Sequence, residues 1–183
     1  LAVLDEGINV LSFSNNADVA GGNVFVLGQT FPNIANRLMG YARKQGKRSV
    51  TIVYSDDVPG QAGRLAIEQA ASANGISVTT ALGYPLSIEG VNATAQAAGA
   101  AAGSSDSIFI TTETNNAAMP MLLQTLPENG VSTASTQYIG LSRWDVRPDL
   151  FKLPGAEGAW FALPDQGRQQ SYSARFSAAN SGT

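Results

Sequence analysis

The sequence contains no cysteine and no histidine, and these two absences exclude several kinds of functional site. Thiolate nucleophiles, zinc sites built on thiolate or imidazole, and serine triads that depend on histidine all require the missing side chains. Any catalysis would have to use carboxylates, lysine, tyrosine or hydroxyl groups. The lack of cysteine does not indicate a redox compartment, because a protein without disulfides is tolerated in either.

Charge and long apolar runs are also scarce. Only 14% of the 183 residues are charged and the formal net charge is −3, so the chain lacks a field that would attract nucleic acid or an anionic membrane. The clustered cations Arg43, Lys44, Lys47 and Arg48 lie at the end of a predicted helix, where they complement the helix dipole. No apolar run approaches the roughly 20 residues that span a membrane. With 44% hydrophobic residues, the composition is that of a globular protein.

The clearest pattern that is present runs from Ser49 to Val78 and predicts one βαβ unit. Residues 49–54 form a β-branched apolar run, which is typical of a strand covered on both faces in a parallel sheet. Residues 55–60 then form an acidic turn with proline and glycine, an Ala-rich helix follows, and a second strand covers 76–82. Ligands of open α/β sheets bind where strands end and helices begin, so this unit indicates where a site would lie.

Strands and helices alternate along the rest of the chain as well. Further strands are predicted at 8–13, 24–27, 107–111, 137–141 and 158–165, and further helices at 30–46, 87–103, 117–126 and around Tyr172, Arg175 and Phe176. The alternation predicts an α/β fold with a mainly parallel sheet between layers of helices. Residues 1–7 resemble the last turns of a helix with no preceding strand, so we expect the chain to be a fragment of a longer protein.

Polar groups at the predicted strand ends are the candidates for binding. Tyr54, Asp56 and Asp57 could hold a ligand's ammonium or hydroxyl groups, or could form the turn and cap the helix. The two aspartates lack a third carboxylate nearby, which argues against a metal site, and no cofactor is expected. No glycine-rich nucleotide loop and no legible pair of nucleophile and base is present, so we expect a protein that is not an enzyme.

Three other strand ends carry similar groups. Glu113, followed by Thr114 and Asn115, is a candidate functional acid or a helix N-terminal carboxylate. Arg143 beside an exposed Trp144 could hold a carboxylate or a planar group, and could equally be a solvated arginine beside a packing tryptophan. The remaining candidates, Ser14 and Asn15 after the first strand and Ser142 before Arg143, could bind a ligand or simply form loops.

These segments together resemble a known family. Residues 8–16 and 23–25, with the acidic turn, are similar to type I periplasmic solute-binding proteins of the leucine/isoleucine/valine-binding group. The order of motifs in 140–145, 153–155, 158–162 and 164–165 is similar to the bacterial lipoproteins known as penicillin-binding protein activators, which share that fold.

The resemblance implies a two-lobed, extracytoplasmic receptor that closes on a small ligand. Residues 1–22 would end the first lobe or cross between lobes, and 23–183 would form the second. The implied partners are the ligand and an ABC permease, with a lipid anchor on the full-length protein. The alternative is an interaction module that regulates a cell-wall synthase.

Two positions depart from the amino-acid-binding members of this family. Pro59 replaces a tyrosine before Gly60, and Ser142 and Arg143 replace an acid after the later strand. Glu113 or Asp56 would then have to bind an ammonium group. Because of the same departures, an anionic ligand facing Arg143 is a second expectation beside an amino-acid-like one.

Overall fold

A computed structural model of the protein describes residues 7–14 and 16–180. In chain order the strands are β1 Val10–Ser12, β2 Val24–Val26, β3 Ser49–Ser55, β4 Ser77–Tyr84, β5 Ser107–Ile110, β6 Gln137–Gly140 and β7 Trp160–Phe161. The α-helices are α1 Phe31–Lys44, α2 Val58–Ala73, α3 Ile88–Ala100, α4 Ala118–Glu128 and α5 Gln166–Asn180. Short 3₁₀ turns occupy Ala17–Val19, Trp144–Val146, Pro148–Lys152 and Pro154–Ala156.

The main sheet has five strands in the order β4-β3-β5-β6-β7, and every neighbouring pair is parallel. Helices α1 and α2 cover one face, where Met39 and Ile67 pack on Ile52. Helices α3 and α4 cover the other, where Leu122 packs with Val53. The predicted α/β fold with helices on both faces of a mainly parallel sheet is therefore confirmed.

The βαβ unit predicted from 49–78 is formed by β3, α2 and β4. Strand β3 is buried on both faces because its residues alternate between the two helical layers. Asp57 is the N-cap of α2 and Pro59 lies in its first turn, where a missing N–H costs nothing. Gly75, with a φ of +65°, ends the helix in a conformation that glycine adopts without strain. The unit positions the carboxyl end of β3 directly before the N-terminus of α2.

The predicted strand 158–165 is much shorter in the structure. Only Trp160 and Phe161 pair with β6, opposite Ile139 and Gly140. The chain turns at Gly158, with a φ of +66°, and leaves the sheet after Phe161. Helix α5 then follows with none of its residues buried. The edge of the sheet at β7 is therefore only two residues long.

Strands β1 and β2 form a separate two-stranded parallel sheet, with Val10 opposite Val24. Leu11 and Phe25 of this sheet are exposed, and so is Phe13, which follows β1 directly. The helix end predicted for 1–7 lies outside the described residues except for Gly7. Within 7–14 and 16–180, the helices fall short of the length and apolar content required to cross a bilayer.

Candidate functional site

A pocket of about 180 Å³ opens at the carboxyl ends of β3 and β5. The groups that line it come from the turn into α2 and from the loop after β5: Ser55, Asp57, Pro59, Gly60, Thr111, Glu113, Asn115 and Asn116. Its position follows from the parallel sheet, because all strands end at one edge and each loop there leads into a helix. Three residues predicted from the sequence as ligand-binding, Asp57, Glu113 and Asn115, are brought together in this pocket.

Asp57 has two roles that the sequence analysis treated as alternatives. Its Oδ1 accepts hydrogen bonds from the Gly60 N–H at 2.8 Å and from the Ser55 hydroxyl at 2.8 Å, so it caps α2. The same carboxylate also lines the pocket. Capping holds the Asp57 side chain in one orientation, and further lone pairs of its oxygens remain available to a donor from a ligand.

The approach of α2 to β3 depends on Gly60. A Cβ atom at this position would lie 1.9 Å from the Ser55 carbonyl oxygen and 2.8 Å from Asp57 Oδ1. Only glycine permits this contact without movement of the backbone. Gly60 therefore sets the distance between the end of β3 and the start of α2, and with it the width of the pocket.

Thr111 is a site residue that the sequence analysis did not select. Thr111 is 5% exposed, and its Oγ1 has no hydrogen-bond partner among the described residues. The methyl and Cβ of Thr111 pack against Gly63 of α2, which places the side chain on the pocket side of the sheet. Buried hydroxyls are nearly always paired, so this one is available to a ligand or to water. The sequence did not indicate a binding role for Thr111, because the residue falls at the end of the strand predicted for 107–111.

Paired substitutions test the state of this hydroxyl. We expect Thr111→Val to leave the free energy of unfolding unchanged or to raise it by about 1 kcal/mol, because the variant removes an unpaired buried polar group. Thr114→Val should lower it by about 1 kcal/mol, because the Thr114 hydroxyl donates to the Arg143 carbonyl at 2.8 Å. Urea unfolding of both variants measures the difference. A marked loss of stability in Thr111→Val would show that its hydroxyl has a partner.

Glu113 is exposed and forms no salt bridge within the described part of the chain. Its backbone carbonyl accepts the Asn116 N–H, and the Asn116 side chain in turn accepts the N–H of Ala118 at the start of α4. The side chain of Asn116, not that of Glu113, therefore satisfies the start of this helix. This leaves the Glu113 carboxylate free to face the pocket.

Arg143 is held by its own neighbour. Its guanidinium donates two hydrogen bonds to Asp145, with Nε to Oδ1 at 3.0 Å and Nη2 to Oδ2 at 2.5 Å. This pair lowers the pKa of the Asp145 carboxyl below its usual range. Arg147 pairs in the same way with Asp149 at 2.6 Å. Neither arginine therefore carries an uncompensated positive charge, which weakens the expectation of an anionic ligand facing Arg143.

Trp144 is fully buried, so the prediction of an exposed aromatic at this position is wrong. The 3₁₀ turn after β6 folds the indole back over Gly140, where a Cβ would lie 2.5 Å from the ring. The ring also stacks on Phe161 with centroids 6.2 Å apart. Trp144 thus belongs to the core between the sheet and the loop, where it cannot contact a ligand in the pocket.

The other predicted site residues lie outside the lining of the pocket. The Tyr54 ring lies against Gly83 and under the Arg64 guanidinium, whose Cζ is 5.5 Å from the ring centroid. Asp56 accepts a hydrogen bond from Gln61. Ser142 donates to the Thr112 carbonyl. Ser14 lies after β1 in the two-stranded sheet, where its hydroxyl accepts the Asn16 N–H. Asn15 lies outside the described residues.

A polar layer lies beneath the pocket. The Tyr84 hydroxyl is hydrogen-bonded to Thr112 Oγ1, and both residues are buried. Burial raises the pKa of the Tyr84 hydroxyl, and the nearby Asp57 carboxylate acts in the same direction. Tyr84 therefore stays neutral and supports the loop after β5 from below.

The chain is similar to known proteins in both sequence and fold. A family model described as "Periplasmic binding protein" matches residues 2–183. No curated protein sequence matches. An extracellular ligand-binding receptor from Rhodopseudomonas palustris HaA2 is similar in structure, with a TM-score of 0.71 and 19% identity over 100% of this chain and 54% of that one.

Two other solved structures are similar. An ABC transporter substrate-binding protein from Desulfitobacterium hafniense in complex with Leu has a TM-score of 0.65 and 22% identity, covering 98% of this chain and 52% of that one. A solute-binding protein of an ABC transporter from R. palustris in complex with 4-hydroxybenzoate has a TM-score of 0.62 and 19% identity, covering 86% and 44%. The chain spans about half the length of these structures, and the likeness shows the fold. Since the family model matches nearly the whole sequence, the chain belongs to the periplasmic binding protein family.

Proposed function

We propose that this chain forms the ligand-binding half of an extracytoplasmic solute receptor of an ABC transporter, and that its ligand is small and carries an ammonium group, as an amino acid does. The pocket at the carboxyl ends of β3 and β5 carries the proposal. It combines two carboxylates with an unpaired buried hydroxyl at the edge of the sheet where open α/β folds bind ligands.

The charges around the pocket support a positively charged group on the ligand. Asp57 and Glu113 face the pocket, and no lysine or arginine is among its lining residues in the described structure. The nearby Arg143 and Arg147 are neutralised by Asp145 and Asp149. A ligand carboxylate at this lobe would meet two like charges, whereas an ammonium group would meet two opposite ones. Of the two expectations from the sequence, the amino-acid-like ligand is therefore favoured over the anionic one.

The neutral groups of the pocket support a ligand with several hydrogen-bonding atoms. Thr111 Oγ1 can both donate and accept, and the Asn115 side chain adds an amide at the rim. A ligand atom that pairs with Thr111 would gain a hydrogen bond and would relieve a buried unpaired group. The solvent-facing groups of the pocket would then discriminate between ligands by the positions of the hydrogen-bond donors on each ligand.

The ligand would be enclosed by a second half of the receptor. The chain spans about half the length of its structural relatives, and large apolar side chains are exposed in and directly after the two-stranded sheet (Phe25, Phe13) and on α5 (Tyr172, Phe176). We propose that these surfaces pack against the other lobe. The boundary at residue 22 stays a prediction, and the pairing of β1 with β2 favours a boundary after β2.

The family is one of solute receptors, and we propose a role without catalysis, outside the cytoplasm and in partnership with an ABC permease. A lipid anchor on the full-length protein also stays a prediction. The alternative role, regulation of a cell-wall synthase by contact, is not favoured by the structural relatives, which are solute receptors.

Thermal unfolding in the presence of a ligand panel tests the proposal. The protein with both lobes should melt at a higher temperature with at least one amine-bearing ligand, because a ligand of the native state stabilises it by mass action. Glu113→Gln and Asp57→Asn should each remove most of that shift, while Asn at position 57 preserves the cap. Glu157→Gln, an exposed carboxylate outside the pocket, is the matched control.

Two results would contradict the proposal. If aromatic or aliphatic carboxylates without an amine raise the melting temperature and both carboxylate variants strengthen that effect, the ligand is anionic. If the panel shifts nothing while a cell-wall synthase domain co-purifies with the protein, the role is one of protein contact.

A further inference from the structure

The loop between β5 and α4, residues 111–117, alternates between buried and exposed side chains. Thr112 and Thr114 are buried, whereas Glu113 and Asn115 are exposed and line the pocket. The buried threonines therefore anchor the loop, and the exposed residues between and after them depend on that anchorage. Whatever fixes Thr114 also fixes the two pocket residues on either side of it.

Thr114 is held by two hydrogen bonds to the loop that follows β6. Its hydroxyl donates to the Arg143 carbonyl at 2.8 Å, and its own carbonyl accepts a hydrogen bond from Nη1 of Arg147 at 2.9 Å. The first bond fixes the side chain, and the second fixes the peptide group that leads to Asn115. A charged donor forms a stronger hydrogen bond than a neutral one, so Arg147 contributes the stronger of the two.

Arg147 is itself held on both sides. Its N–H donates to the Trp144 carbonyl at 3.1 Å, and its carbonyl accepts the Leu150 N–H at 3.0 Å. Trp144 and Leu150 are fully buried, so the backbone of Arg147 is tied to the core. Its guanidinium donates to both carboxylate oxygens of Asp149, with Nη2 to Oδ2 at 2.6 Å and Nε to Oδ1 at 3.4 Å. This fork orients the guanidinium and directs the remaining Nη1 at the loop after β5.

Arg143 provides a close comparison within the same segment. It also pairs through two hydrogen bonds with an aspartate two residues further on, Asp145. The side chains of Arg143 and Arg147 have similar exposures, 41% and 30%. Among the described residues, however, it is the guanidinium of Arg147 that also bonds to the loop after β5. The two arginines therefore differ in this one contact.

We propose that Arg147 is a positioning residue of the ligand pocket, which holds the Thr114 peptide so that Glu113 and Asn115 stay directed at the ligand. Arg147 is not among the residues that line the pocket, so it acts through the loop. Its pairing with Asp149 neutralises the guanidinium, which can then support the loop without repelling an ammonium group nearby. The effect on ligand affinity rests on the proposed function, whereas the effect on the loop does not.

Amide hydrogen exchange in the full-length protein tests the effect on the loop. In Arg147→Ala, the Asn116 amide, which donates to the Glu113 carbonyl at 3.0 Å, should exchange about tenfold faster than in the wild type. Arg147→Lys should restore part of the protection, because an ammonium group can still donate to the Thr114 carbonyl but lacks the planar fork of arginine. Arg143→Ala should leave the rate unchanged. The amides of β3 should exchange equally in all variants, which shows that the fold is intact.

Calorimetric titration of the same variants tests the effect on binding, with L-alanine, L-phenylalanine and L-lysine as ammonium-bearing probes. The Kd of a probe that binds the wild type should rise roughly tenfold in Arg147→Ala, because a binding group must be held in place by its supporting residues. Arg147→Lys should recover part of this loss. Arg143→Ala should leave the Kd unchanged.

Three results would overturn the inference. The first is an Asn116 exchange rate that is the same in Arg147→Ala and the wild type. The second is an unchanged Kd in Arg147→Ala for a probe that binds the wild type. The third is an equal loss of affinity in Arg143→Ala, since the cause would then be a general loss of charge. If none of the three probes binds the wild type, the proposed function fails for these ligands, and the exchange rates still decide the role of Arg147.

Discussion

Replacing Gly60 with alanine should destabilise the protein by about 3 kcal/mol or more. The added Cβ would lie 1.9 Å from the Ser55 carbonyl oxygen, far inside van der Waals contact, and the obstacle is backbone that no rotamer change can move. Strand β3 and the N-terminus of α2 would have to separate, which would also lengthen the Gly60 N–H to Asp57 bond of 2.8 Å. Overpacking in a rigid site costs about 1–3 kcal/mol, and loss of a helix cap adds about 1.

Gly40→Ala is the matched control, and we expect the opposite sign. Gly40 lies inside α1, and within the described part of the chain the one atom outside this helix that an added Cβ would contact is Oδ1 of the Asn74 side chain at 3.2 Å, which can move. Alanine is favoured over glycine inside a helix by about 0.5–1 kcal/mol. Urea unfolding of the two variants measures both effects. Equal stability of Gly60→Ala and the wild type would show that the turn before α2 has room for a side chain.

Raising the pH above about 10 should destabilise the protein through two buried tyrosines. The Tyr138 hydroxyl donates to the Val131 carbonyl at 2.7 Å, and its burial raises its pKa strongly. Burial also raises the pKa of Tyr84. An exposed tyrosine in the unfolded chain loses its proton near pH 10, so the folded state binds more protons above that pH.

The sign of the pH effect follows from this difference in proton binding. Below about pH 10 the tyrosines are protonated in both states, and their contribution is fully present. As pH rises toward the folded pKa values, the free energy of unfolding should fall by up to about 1.4 kcal/mol per pH unit through Tyr138, and Tyr84 acts in the same direction. Urea unfolding at a series of pH values from 8 to about 11 measures the slope.

Phenylalanine substitutions separate the contributions. Tyr138→Phe should lower stability at neutral pH by about 1 kcal/mol, because the Val131 carbonyl loses its partner, and should make the slope above pH 10 shallower. Tyr172→Phe, at an exposed position of α5, should change neither value. A slope that is the same in Tyr138→Phe and the wild type would mean that other groups cause the alkaline unfolding.

Sequence alone predicted the parts of the fold that depend on local patterns. The β-branched run predicts strand β3, Asp57 marks the start of α2, and a glycine marks its end. The resulting βαβ unit has nearly the predicted bounds. Strand β7 was predicted too long, because its extent depends on how far β6 reaches alongside it and not on its own residues.

The candidate site was predicted in part for the same reason. Parallel strands end at one edge, so the polar groups after β3 and β5 could be expected to meet, and Asp57, Glu113 and Asn115 do. The burial of Trp144 could not be expected, because it results from a turn that folds the indole onto a glycine of the preceding strand. The hydrogen bond from Arg143 to Asp145 joins residues only two apart, so the spacing of the two residues in the sequence was enough to predict it.

The order of the strands also bears on the order in which the chain can fold. Strand β3 pairs with β4, β5 pairs with β6, and β6 pairs with β7. Most strands therefore lie beside the strand that follows them in the chain. After β4, each new strand is added to the same growing side of the sheet, one at a time. A chain whose N-terminal part becomes available first can therefore bury each βα unit in turn, without waiting for a distant partner.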